Sequence, residues 1–346
     1  MTTSSRASRR PPLSQRAVLA TAYSGAMTPT SPLPAVAGDT GPRRIGLGLA
    51  ALGRPGYLNL GHGSDLGADR SPDALRRRSY EVLDSAYAAG VRYLDAARSY
   101  GRAEEFLGAW LRDRQPDDVV VGSKWGYVYT AGWAVEADPP EVKHHDVGTL
   151  RRQIEETRDH LGDRLAVYQI HSATPESGVL EDDEVLSELA RLRGSGVAIG
   201  LTTSGPSQTE TLDRAVELGL FDAVQVTWNL HERSAGPALQ RAHDAGVGIV
   251  VKEALANGRL AARGRAPALD RVADRLGAPP DAVALAAVLR QPFADVVLSG
   301  AATREALRSN LGATRVVLDA AALEELDVLA ETPDDYWSAR SQLRWT

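Results

Sequence analysis

The sequence predicts a single-domain α/β fold, a closed (β/α)8 TIM barrel, and three observations lead there. Eight short apolar runs rich in β-branched residues recur along the chain, at 43–50, 91–96, 118–125, 165–171, 197–203, 223–229, 247–254 and 294–300. Stretches with apolar residues at helical spacing lie between them, as in PDALRRRSYEVLDSAYAAG, where Leu75, Val82, Leu83 and Ala86 share one face. The runs VVVG and GIVV are apolar without alternation, as expected of parallel strands covered by helices. An open doubly wound sheet satisfies the same alternation of elements, but the count of eight and the even spacing favour closure.

Taken in order, residues 1–42 read as a disordered tail. They are rich in Ser, Thr, Pro and Ala, contain no acid before Asp39, and include Met27 as an alternative start. Arg9-Arg10 faintly resembles a twin-arginine export signal, but Gln15-Arg16 stands where the hydrophobic part should begin. The barrel is expected over 43–335, and residues 336–346, with Trp337 and Trp345, form a C-terminal segment suited to packing over the mouth or to meeting another chain. Several helical stretches end in glycine, at Gly90, Gly196 and Gly246, as helix C-termini prefer. The longest apolar run, AVALAAVL at 282–289, reads as a buried helix and falls far short of the roughly 18 residues of a membrane span. Behind the third strand comes a long segment, 126–146, of the kind that carries function and that a barrel would project from its catalytic face.

Composition narrows the function. A net charge of −6 argues against a phosphate-tracking surface, so no nucleic-acid partner is expected, and nothing calls for a membrane. The absence of cysteine excludes disulfides, thiolate catalysis and Cys-ligated metal, and a cytoplasmic location is the default expectation.

Barrels place their chemistry at the C-terminal ends of strands. Asp95 closes the second predicted strand, Lys124 lies near the end of the third, His171 closes the fourth, and Tyr100 begins the turn into a helix. A phenol titrates near 10 and gives up its proton reluctantly; a neighbouring ammonium lowers that value and makes Tyr100 a usable acid. Asp95 would keep Lys124 charged in a partly buried place, and His171 would orient a carbonyl oxygen. An acid aimed at a carbonyl oxygen suits hydride addition to the carbonyl carbon, and a reduced nicotinamide would supply the hydride.

The stretches YLDAARSYG, GSKWG and YQIHS together resemble the aldo-keto reductase superfamily, over nearly the whole of the expected ordered region, from Gly46 to Ala313. The resemblance implies a (β/α)8 barrel that uses NADPH, with NADH possible, and no metal, to reduce a small-molecule aldehyde or ketone. It puts the catalytic tetrad at Asp95, Tyr100, Lys124 and His171. It puts the nicotinamide carboxamide beside Gln225, Thr202 and Thr203, the two threonines standing where many relatives have Ser-Asn. Ala254, Leu255, Asn257 and Gly258 would wrap the pyrophosphate, with Gly48 and Leu49 beside the cofactor. Lys252 stands where an aromatic ring commonly stacks on nicotinamide. At the adenine end, Asn310 would approach the base; Gly300 and Ala306 replace the usual Lys and Arg, leaving Arg304 or Arg308 to supply charge. Trp125, Tyr127, Trp133 and Trp228 are candidate walls of the substrate pocket, although packing is a competing use for each.

Several features read as decoys. GLGLAA fits a dinucleotide fingerprint, yet the Gly-rich loop GRPGYLNLGHG follows it in place of a helix. His144, His145 and Asp146 read as solvated loop, and Arg76, Arg77 and Arg78 as a solvated helix face. Two rival functions stay open: a Schiff-base lyase using Lys124 or Lys252, and a non-catalytic nicotinamide-binding regulatory relative.

Overall fold

Each of the eight apolar runs forms a strand: β1 (Ile45–Gly48), β2 (Tyr93–Asp95), β3 (Val120–Trp125), β6 (Leu165–Ala173), β7 (Ala198–Thr203), β8 (Ala223–Thr227), β9 (Gly248–Lys252) and β10 (Val296–Ser299). The computed structural model describes residues 31–33 and 41–346, so the expected tail and Met27 lie almost wholly outside the described residues. The eight strands are parallel and close in the order β1-β10-β9-β8-β7-β6-β3-β2. Closure removes the free edges that an open sheet would leave. Among the described residues, no helix is long and apolar enough to cross a membrane.

The helices are α1 (His62–Leu66), α2 (Pro72–Ala88), α3 (Ala103–Arg114), α4 (Val147–Leu161), α5 (Asp183–Gly194), α6 (Gln208–Leu218), α7 (Gly236–Asp244), α8 (Pro267–Leu276), α9 (Pro280–Leu289), α10 (Arg304–Leu311), α11 (Ala320–Asp327) and α12 (Pro333–Ser341). Their starts follow from capping chemistry. Ser71, Asp146, Asp182, Thr303 and Thr332 each accept a hydrogen bond from an N–H of the first turn that would otherwise have no partner. Helix α9 holds the run AVALAAVL and is buried along its whole length. At the N-terminal end of the barrel, Leu33 packs on Tyr93, Val250 and Val296 and fills the interior from below.

The long segment behind β3 is not plain loop. Strands β4 (Tyr127–Tyr129) and β5 (Glu141–Lys143) pair antiparallel within it, with Tyr127 opposite Lys143 and Tyr129 opposite Glu141. Each strand is three residues long, too short for alternation to show, and Pro139-Pro140 in between masks the hairpin. Its consequence is positional: the hairpin carries Tyr127 and Glu141 to the barrel mouth.

Candidate active site

The register of the barrel brings Asp95 and Lys124 together. Asp95 pairs with Gly48 on one side and Gly122 on the other, and side chains two residues apart on a strand share a face, so Lys124 points where Asp95 does. Lys124 Nζ donates to Asp95 Oδ2 at 2.5 Å and to the Ala96 carbonyl at 2.9 Å. Both side chains are buried. Burial pushes the lysine below its usual pKa, and the Asp95 carboxylate opposes that push. The other carboxylate oxygen accepts from Gln225 Nε2 at 2.9 Å and from Gln169 Nε2 at 3.4 Å.

Tyr100 and His171 complete the group. The turn after β2 is fixed by Gly101, whose φ of 60° and whose closeness to Gly53 admit no side chain: a Cβ there would lie 2.5 Å from the Gly53 carbonyl oxygen. This close approach holds Tyr100 against the loop that follows β1. The Lys124 ammonium lies 4.6 Å from the centre of the Tyr100 ring, and the His171 ring meets Tyr100 edge-on at 5.4 Å and Tyr127 at 4.9 Å. His171 Nδ1 lies 3.4 Å from the buried hydroxyl of Ser99. Burial, reinforced by the cations Lys124, Arg54 and Lys252, drops the imidazole well below its ordinary pKa, so it is neutral at physiological pH.

The phenol behaves differently from the sequence expectation. Burial and the Asp95 carboxylate raise the Tyr100 pKa well above 10, and the cation that opposes them is Arg54. In the resting state the Asp95 carboxylate offsets the pull of the Lys124 ammonium on the ring. What results is an acid that keeps its proton until a stronger base appears beside it.

Arg54 carries no sequence motif and was not foreseen. It is 2% exposed, donates from Nη1 to the Ser99 carbonyl at 3.0 Å and to Glu141 at 2.9 Å, and lies over the rings of Tyr57, Tyr100 and Trp345 at 4.9, 5.1 and 4.3 Å. The signal was the loop GRPGYLNLGHG itself, where one arginine stands between glycines and a proline directly after a strand. The C-terminal residues cross the mouth beside it. Arg340 grips Glu253 from Nε and Nη2 at 2.6–3.0 Å, Tyr336 and Asn229 bond to each other at 3.0 Å, and Thr346 exchanges backbone hydrogen bonds with Tyr57.

Strand alternation sorts the remaining expected residues. Lys124 faces inward, so Trp125 faces the helices; it is fully buried against His145, which corrects its expected place on the pocket wall. Thr202 sits in the rim and accepts from the Ser172 N–H at 2.7 Å, whereas Thr203 is turned outward to Gln208 and cannot reach a carboxamide. Thr227 holds Lys252 Nζ at 2.8 Å, and Trp228 is turned to the shell, where it packs on Phe293. Trp228 therefore neither lines the pocket nor replaces a stacking ring. Trp133 anchors the long segment by donating to the Arg70 carbonyl at 2.8 Å and packing on Phe106. Tyr127 is the expected wall residue that lies against His171. His145 is likewise no solvated loop residue: its Nε2 lies 2.8 Å from the His171 carbonyl, and burial holds its pKa near 4.

Residues expected at the cofactor ring the mouth on the side of β1 and β7 to β10. Gly48 leaves open space, with only the Ser299 carbonyl near a built Cβ at 3.7 Å, and the Leu49 side chain is buried beneath. Lys252 is held by burial to a pKa of about 8, with Glu253 opposing the shift. Ala254, Leu255, Asn257 and Gly258 form the turn after β9, which is clasped by the loop after β1 through Leu60 N–H to the Asn257 carbonyl at 3.0 Å. Asn257 Oδ1 is buried with no partner, an acceptor that suits a ribose hydroxyl. Gly300 is exposed next to Asn59. The adenine end fits less well. With its amide oriented to satisfy both ends, Asn310 accepts from Ser299 and donates to Asp281 at 2.8 Å, so it is committed inside the fold and corrects the expected contact with a base. Arg76 and Arg77 are exposed, as expected of a solvated helix face, and Arg77, the half-buried Arg78 and Arg304 border an open groove between α2 and α10 together with Asp69, Glu81 and Glu305.

The barrel and this rim together define an oxidoreductase of the carbonyl-reducing kind. The model of the aldo/keto reductase family matches residues 44–331, and the chain belongs to that family. It is 26% identical over 333 residues to an aldo-keto reductase of Strobilurus tenacellus, covering 85% of this chain and 94% of the relative. It is 29% identical over 303 residues to a D-threo-aldose 1-dehydrogenase of a Pseudomonas species, covering 79% and 86%. An aldo-keto reductase from Bacillus halodurans, solved in its holo form, shares the fold with a TM-score of 0.65 at 20% identity, covering 84% of this chain and 92% of that one.

Proposed function

We propose that the protein reduces the carbonyl group of a small aldehyde or ketone to an alcohol with NAD(P)H, and that Tyr100 is the proton donor. The observation that carries this is the buried Lys124–Asp95 pair beneath the Tyr100 ring, with His171 at the ring's edge. A bound nicotinamide supplies the hydride. Gln225, whose N–H is taken by Asp95, keeps its Oε1 to accept from the carboxamide, and Thr202, Lys252 and Asn257 hold the same side of the mouth. Lys252 stands where relatives place a stacking ring and brings an ammonium there instead, bonded to Thr227. NADPH is the first choice from the family resemblance, with Arg304 at the first position of α10 as the cation available to its 2′-phosphate; NADH is the alternative.

The chain's own residues then do three things. Neutral His171 donates a hydrogen bond that fixes the carbonyl oxygen. Tyr100, protonated in the resting state, gives its proton as negative charge grows on that oxygen. The ammonium of Lys124 stabilises the phenolate left behind, while Asp95 keeps Lys124 charged. Lys124 is thereby occupied as half of an ion pair and is unsuited to Schiff-base attack.

Loss of nicotinamide absorbance with NADPH or NADH against a panel of aldehydes and ketones tests the assignment. Tyr100→Phe should lower turnover by at least about a thousandfold, within the range general acids and oxyanion partners contribute, with cofactor Kd unchanged. A Tyr100→Phe variant as fast as the parent would refute the donor, and tight cofactor binding without turnover of any carbonyl would favour the regulatory relative.

A further inference from the structure

We propose that Arg54 is a substrate-recognition residue and that the preferred substrates carry a carboxylate in addition to the carbonyl group. The inference rests on the reductase assignment above and names the class of substrate for that same mouth.

The guanidinium is only half used. Both of its hydrogen bonds run from Nη1, to the Ser99 carbonyl and to Glu141. Among the described residues, Nε is buried with no partner, and no hydrogen bond runs from Nη2 either. Nε and Nη2 form the edge of an arginine that grips a carboxylate with two parallel hydrogen bonds. A buried donor without an acceptor costs on folding, and such a group marks either strain or a place kept for a ligand. Position favours the second. Arg54 lies 5.1 Å from the centre of the Tyr100 ring, so an anion held there has its own carbonyl group near the phenol. The aromatic rings of Tyr57 and Trp345 on the same guanidinium supply apolar walls for the rest of a small molecule.

The charge balance agrees. Arg54, Lys124, Lys252 and Arg340 face three carboxylates at the mouth: Asp95, Glu141 and Glu253. One positive charge is left over at the mouth, which favours an anionic guest there, and Arg54, although paired with Glu141 at 2.9 Å, keeps its Nε–Nη2 edge unbonded. Lys124 and Arg340 are each tied to a single carboxylate, while Lys252 is tied to Thr227 with Glu253 3.7 Å away. Glu141, on the hairpin, is the internal carboxylate that a substrate anion would share Arg54 with.

The test compares two aldehydes of nearly equal size, 4-carboxybenzaldehyde and its methyl ester, under saturating NADPH. Arg54→Met removes a cation beside Tyr100 and so slows both aldehydes, but the ratio of kcat/KM for the acid to that for the ester should fall by about 30-fold, equivalent to about 2 kcal/mol at 1.4 kcal/mol per decade; NADPH Kd should not move. Arg54→Lys, which keeps the charge and loses the fork, should fall between. Glu141→Gln should bind the acid more tightly. Equal losses on both aldehydes, no loss on either, or a loss confined to NADPH binding would overturn the proposal. Calorimetry with benzoate, and with benzamide as the neutral control, separates this result from the reductase assignment. Should the parent reduce neither aldehyde, benzoate binding that disappears in Arg54→Met still supports Arg54 as the anion site, and equal binding in both proteins overturns it.

Discussion

Two buried cations lie at the mouth of this barrel, each bonded to one carboxylate and one backbone carbonyl, yet they stand on different scaffolds and are used to different extents. Lys124 stands on a strand; its hydrogen bonds go to Asp95 and a backbone carbonyl, and its register with β2 is fixed by the sheet. Arg54 stands on a loop, touches three aromatic rings, and leaves one edge of its guanidinium free. The first arrangement is suited to setting the charge around a phenol once and for all. The second is suited to meeting something that arrives. The difference shows how one fold separates chemistry from recognition: strands hold the groups whose positions cannot vary, and loops hold the groups that choose the ligand.

The comparison breaks hardest at Asp95. Asp95→Asn leaves the Lys124 ammonium buried without its counter-charge, a loss of about 3–5 kcal/mol when one partner of a buried pair is removed. Urea unfolding should show this as a lower midpoint at unchanged slope. A midpoint equal to the parent's would mean that the two groups are not ionised in the folded protein, and the contrast with Arg54 would collapse.

A smaller effect belongs to the C-terminal residues. The Arg340 guanidinium holds Glu253 at a pKa of about 2 against its usual 4.5. A carboxyl depressed in this way contributes fully above pH 4.5 and loses its contribution as pH falls toward 2. The shift corresponds to roughly 3 kcal/mol, and it acts on the docking of α12 more than on the barrel. Amide exchange along α12 should therefore speed up in Glu253→Gln by one to two orders of magnitude at pH 7, with the barrel amides unaffected. The gap between variant and parent should close as pH drops below 4.5. A gap that persists at low pH would show that packing of Trp337, and not the ion pair, holds the helix down.

Much of this was legible in the sequence, and the failures share a cause. The eight strands were visible because parallel strands buried on both faces leave unbroken apolar runs, and the residues of the rim because each stands at or just beyond the end of such a run. The alternation of a strand was not applied at those ends. Lys124 inward requires Trp125 outward, Thr202 inward requires Thr203 outward, and Thr227 inward sends Trp228 to the shell; parity alone would have removed all three from the pocket. Arg54, the β4–β5 hairpin and the clasp of Leu60 on Asn257 had no such rule to betray them. They lie in glycine- and proline-rich segments whose conformation is set by tertiary contact, and their partners are more than eighty residues away in the chain for Arg54 and Glu141.

The smallest effect sharpens the strand side of the comparison. Ser99 is fully buried, and its hydroxyl lies 3.4 Å from His171 Nδ1, a long contact at the limit of a hydrogen bond. If the hydroxyl donates, Nδ1 is an acceptor and the imidazole proton sits on Nε2, where a carbonyl oxygen can receive its hydrogen bond. Ser99 is then a positioning residue acting through His171. Removing so long a bond should cost about 0.5–1 kcal/mol, a fall in kcat of about threefold with KM nearly constant. Nitrogen chemical shifts of the His171 ring read the cause directly. In the parent, Nε2 should carry the proton; in Ser99→Ala, the two tautomers should mix. A ring that keeps its proton on Nε2 after the substitution would assign that preference to the protein's backbone and rings, and Ser99 would be a packing residue only.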